Sequence, residues 1–159
     1  MLEIELMSDP QPIGVRWLNI FPLILALSMS VLSLTGCHTI ASYDQAAYEH
    51  ATSTKAEAVF LMDKATTPYS QNSDKIDTVV LDLNKAYEYD KGRSENQQTV
   101  DLWKTLLNPE GHSFAGFLQL WKRKGQLHPD YIEEKKTDVE DAFNQIILLE
   151  QGKPKTGST

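Results

Sequence analysis

The sequence predicts an all-α domain, a bundle of four or five helices. Three observations carry that expectation. Beyond position 37, apolar residues recur at three- and four-residue steps in five separate segments, the spacing that aligns them on one stripe of a helix. Prolines and helix-capping residues stand between those segments, where the chain has to stop and restart. No stretch sustains two-residue alternation with β-branched enrichment, the pattern of a half-buried strand.

The first predicted helix carries the stripe Ile40, Tyr43, Ala47, Ala51, Thr54, Ala58, Leu61 and Ala65 and ends at Thr66-Thr67-Pro68, where proline interrupts it. Ile76, Val79, Val80, Leu83 and Tyr87 form the second, with Asn72, Ser73 or Asp74 as the cap and Gly92 as the close. Ser94 and Gln97 have the spacing of a capping box and open a third helix with Val100, Trp103 and Leu107 on its inner face, stopped by Pro109. Ser113 caps a fourth helix carrying Phe114, Phe117, Leu118 and Trp121. Its last turn, Lys122-Arg123-Lys124 before Gly125, suits the negative end of the helix dipole. The fifth starts with Pro129 at its first position, where a missing amide proton costs nothing, and buries Ile132, Val139, Phe143, Ile146 and Leu149. Gly152 ends it, and residues 152–159 read as a loose polar tail. Tripeptides recurring 18 and 21 residues apart do not continue, so a solenoid array is not expected.

Composition narrows the function. The chain has 159 residues, 22 acids against 15 bases, a net charge of -7 and one cysteine. One domain is the expectation at this length, no intramolecular disulfide is possible, and the acidic balance disfavours nucleic acid, whose binding rests on basic contacts to phosphate. From Cys37 onward the loss of Arg16 leaves 14 bases, and the loss of Glu3, Glu5 and Asp9 leaves 19 acids, a net charge of -5.

The amino-terminal segment is of another kind. Between Trp17 and Leu34, 13 of 18 residues are apolar and none is charged, and Arg16 stands immediately before the run. Basic, then apolar, then small residues is the order of a secretory signal, although 18 residues also suffice for a short membrane-spanning helix. The run ends in Leu34-Thr35-Gly36-Cys37, which resembles the lipobox of bacterial lipoproteins: an aliphatic residue, a small or hydroxyl one, Gly or Ala, then Cys. The resemblance covers residues 16–37. It implies diacylglyceryl transfer to the Cys37 sulfur, cleavage between Gly36 and Cys37, residues 1–36 as the signal peptide and residues 37–151 as the exported bundle. Two or more acyl chains make membrane attachment stable where one does not. In two-membrane bacteria, aspartate after the lipidated cysteine tends to retain a lipoprotein in the inner membrane. His38 at that position implies the outer membrane, facing the periplasm. One departure is the acidic start, with Glu3, Glu5 and Asp9 where such a signal is basic; a later start at Met7 or at Val15 removes it.

Signs of chemistry are sparse. The histidines, His38, His50, His112 and His128, never stand three or four apart, so no helical metal pair is expected, and no cofactor is implied. No Gly-x-Ser-x-Gly elbow occurs. Lytic transglycosylases typically carry their acid in a Glu-Ser dipeptide, whereas this chain has Ser94-Glu95, and its acids at 133, 134, 138, 140 and 141 suit a solvated helix face. Trp103, Phe114, Phe117, Trp121 and Tyr131 form the densest aromatic set. Helical spacing assigns most of them to the core; as a partner surface the candidates are Trp103, Phe117, Trp121 and Tyr131, since Trp and Tyr concentrate at binding hot spots. Gly111 and Gly116, flanking His112, suit either a close ligand approach or a tight turn and helix contact. The expected function is that of a nonenzymatic, membrane-anchored lipoprotein whose helical domain binds another envelope protein. A small wall-directed hydrolase is the alternative.

Overall fold

The computed structural model describes residues 40–111 and 113–155. The apolar segment, Gly36, Cys37, His38, His112 and the last four residues lie outside the described residues. Among the described residues five α-helices run in order: α1 Gln45–Met62, α2 Ser73–Lys91, α3 Gln97–Leu107, α4 Phe114–Lys124 and α5 Pro129–Gln151, with short 3-10 turns at Asp63–Thr66 and Tyr69–Gln71. No strand occurs among the described residues, so the all-α expectation holds. None of their helices is long and apolar enough to cross a membrane.

α1 lies against both α2 and α5, and α3 bridges α2 to α5. α1 and α5 run antiparallel, as three cross-links along their length record: Asp44 N–H to Glu150 at 2.8 Å, Lys55 to Asn144 at 2.8 Å and Asp63 to Lys136 at 2.7 Å. Small residues on the α1 stripe, Ala47, Ala51 and Ala58, are all buried, which lets the neighbouring backbones approach closely. The aromatic side chains of the core come from elsewhere: Trp103 of α3, Phe114, Phe117 and Trp121 of α4, and Phe143 of α5.

Several sequence expectations about helix ends hold: Gly92 closes α2, Pro129 opens α5 and Gly152 ends it. Ser113 caps α4, its hydroxyl accepting from Gly116 N–H at 3.1 Å. Gly125, at φ 78°, closes the same helix in a conformation that other residues rarely adopt. Beyond it the chain turns back across the end of α1: Gly125 O accepts from Tyr69 N–H and Ala65 O from Leu127 N–H.

Other boundaries need correction. α1 begins at Gln45 rather than near Ile40, because the Asp44 carboxylate caps the helix by accepting from Ala47 N–H at 2.9 Å. Residues 40–44 are not helical, and Ile40 is 39% exposed. The Ser94–Gln97 capping box does not form. α3 starts after Asn96, whose side chain makes no cap bond: its Oδ1, the atom a cap would use, accepts from Lys153 Nζ, while its amide donates to Asp90. Leu106 rather than Leu107 completes the buried α3 stripe, and Glu150 is buried where Leu149 was expected. The predicted tail from 152 also starts too early. Lys153 is only 3% exposed, and Pro154 O accepts from Tyr43 N–H at 2.8 Å.

Candidate functional site

Of the four aromatic residues that sequence offers as a partner surface, the fold encloses three. Trp103 and Trp121 are fully buried and Phe117 is 2% exposed. Each indole N–H is used internally, Trp103 donating to Asp90 Oδ2 at 2.7 Å and Trp121 to Thr67 O at 3.0 Å. Their rings pack edge-on against Phe143 and Tyr69. These three residues therefore build the core and are not available at the surface. Tyr131 alone is half-buried, its ring parallel to that of Phe117 at 6.5 Å.

At the end of the bundle where residues 40–44 enter, four charged groups are packed together with little solvent. Arg93 donates to Asp90 Oδ1 and to both oxygens of Glu150 at 2.9 to 3.1 Å. Lys153 uses its three protons on Glu150, Asn96 and Thr99. Asp90 and Glu150 are each 1% exposed, and two acids against two bases leave the cluster neutral. Such burial is tolerable only with the charges paired and the remaining lone pairs filled, a condition met here. Burial favours the neutral acid, yet the hydrogen bonds that Glu150 accepts from Arg93, Lys153 and the Asp44 amide outweigh it, and its carboxyl titrates below the ordinary value of 4.5. The entering segment is bound into this clasp, because Arg93 donates to Ser42 O, Glu95 O accepts from Ala41 N–H, and Tyr89 OH reaches Asp44 at 3.0 Å. Sequence reasoning missed the clasp, since its partners stand as many as 106 residues apart.

A polar cleft of about 300 Å³ lies at the other end, between the turn at 109–111, α4 and α5. Arg123, Gln119, Tyr131 and Lys135 project into it, with Glu110 on the turn. Lys135 is tied to Glu134 and Asp138 at 2.9 and 2.8 Å, which raises its pKa. The cleft wall is set by Gly116, where a Cβ would stand 2.1 Å from Gly111 O. That approach explains the glycine as a tight packing contact. No family model, curated protein or solved structure matches the chain.

The described residues contain no group of three histidines, cysteines or carboxylates able to hold a metal. His128 caps α5, its ring accepting from Asp130 N–H at 3.3 Å. His50 lies edge-on to Tyr89 at 4.9 Å, and its buried Nδ1 makes no hydrogen bond. The acids at 133, 134, 138 and 141 are exposed on α5. Glu57 is also exposed, on α1. It lines a groove with Phe60, Leu61 and Val79, and burial foremost, then the Asp82 charge, pushes its pKa up.

Proposed function

We propose that the chain is a bacterial lipoprotein, anchored through acyl chains on Cys37 to the outer membrane and facing the periplasm, whose helical domain acts as a nonenzymatic module that binds another envelope protein. The observation that carries this reading is Leu34-Thr35-Gly36-Cys37 at the end of an uncharged apolar run, with Cys37 the one cysteine of the chain. The position of the clasp supports it. Ala41, four residues past Cys37, is already hydrogen-bonded into the bundle, so few residues of sequence separate the proposed anchor from the folded domain. The anchored domain then stands on a short leash, with its entering segment fixed by Arg93, Glu95 and Glu150.

The experiment is metabolic labelling with a palmitate analogue and membrane fractionation of the chain and of Cys37→Ser. The expected result is label in the membrane-bound chain and none in the variant. Equal labelling of both would refute the reading.

Glu57 favours a second reading, a wall-directed hydrolase with that residue as the acid, since a carboxyl whose pKa is raised beside apolar side chains is the kind of group general acid catalysis uses. Glu57 is followed by Ala58 rather than the serine of the transglycosylase dipeptide. Peptidoglycan turnover that vanishes in Glu57→Gln would favour this reading over the first.

A further inference from the structure

Folding uses nearly every basic side chain of the domain. Of the 14 lysines and arginines among the described residues, 11 hold a carboxylate, an amide oxygen or an aromatic ring. The other three are consecutive, Lys122, Arg123 and Lys124. All are exposed on the last turn of α4, and no side chain among the described residues pairs with them, although the domain has 19 acids to draw on. Bases in a last turn do favour the helix dipole, by about 0.3 to 1 kcal/mol each. The dipole does not account for the cleft beside them. Arg123 opens onto it, and two further polar groups there, the Tyr131 hydroxyl and the Gln119 amide, make no hydrogen bond within the described structure.

We infer that Lys122, Arg123 and Lys124, with the adjoining Gln119–Tyr131 cleft, form the docking surface for an acidic segment of a partner protein. Arg123 presents a planar fork suited to a carboxylate, the flanking lysines add charge attraction, and Tyr131 and Gln119 supply donors within the cleft.

The choice of a protein over a lipid surface rests on the lipoprotein reading. α1, 18 residues long, separates the clasp from this tip by about 27 Å. The tip therefore sits several screening lengths from the clasp, where the chain enters the bundle, since exposed charges interact over only about 8 Å at physiological salt. A bundle net negative overall also gains nothing by lying flat on anionic lipid.

The test uses the full-length chain in phosphatidylcholine nanodiscs. Two probes are offered at low and at physiological salt: a labelled twelve-residue peptide alternating Glu and Gly, and vesicles containing phosphatidylglycerol. Charge reversal of the tip, Lys122→Glu with Arg123→Glu and Lys124→Glu, is compared with Lys85→Glu, Lys91→Glu and Lys104→Glu, which changes net charge equally. The expected result is peptide binding that the tip variant weakens by about tenfold or more, that the control largely retains, and that Tyr131→Phe also weakens. Equal losses in the two triple variants, no peptide binding by the wild type, or a tip-dependent preference for the vesicles would each overturn the proposal. The Cys37→Ser chain in detergent should bind the peptide equally well, so failure of lipidation and failure of the tip are read separately.

Discussion

Replacing Glu150 with alanine removes the acceptor shared by the Asp44 amide, Arg93 and Lys153. The four-charge cluster then holds one acid, Asp90, against two bases. Lys153, at 3% exposure, keeps Asn96 and Thr99 but no opposing charge. Breaking a buried pair in this way typically costs about 3 to 5 kcal/mol, against about 0.2 to 1 kcal/mol for an exposed pair such as Lys85–Asp82. With a urea m-value near 1.5 kcal/mol per molar, the Glu150→Ala midpoint should fall by about 2 to 3 M in the domain from residue 38 onward. Glu150→Gln keeps the shape and one acceptor and should lie between. The linkage has a definite sign. A carboxyl whose pKa is depressed by folding contributes stability above its unfolded value and loses it as pH falls through the folded one. The Glu150 contribution should therefore be present above the ordinary value of 4.5 and disappear in acid, so the variants should converge with wild type there. Urea melts across pH read both effects. A Glu150→Ala shift no larger than that of Asp82→Ala would refute the clasp as a source of stability.

Trp121→Ala should destabilise by about 3 to 5 kcal/mol, because the ring is fully buried and its N–H is spent on Thr67 O; an unchanged denaturation midpoint would remove it from the core. Gly116→Ala should cost about 1 to 3 kcal/mol in the same melts, since its Cβ would stand 2.1 Å from the Gly111 carbonyl. A neutral effect there would mean the turn at 109–111 yields freely.

Much of the helical order is legible in the sequence because it is local. Ser113, Pro129 and Gly125 act on the turn in which they stand, and the Phe114, Phe117, Leu118 and Trp121 spacing gives one buried face directly. The clasp is illegible for the opposite reason. Arg93 and Lys153 read as loop and tail charges, and only the antiparallel pairing of α1 with α5 brings Glu150 to them. The missing Ser94 box has the same origin, since Asn96, at the true cap position, gives its Oδ1 to Lys153 from 57 residues away. At the other end, periodicity places Tyr131 and Arg123 on separate helices. Their meeting in one cleft depends on the Gly125 reversal and on the close approach of Gly111 to Gly116.

The central claim is acylation of Cys37, and intact-mass spectrometry of the chain extracted from membranes tests it most directly. The account predicts a polypeptide beginning at Cys37 with the added mass of at least two acyl chains. A mature chain retaining Trp17 to Leu34, or one beginning at Cys37 without lipid, would contradict it.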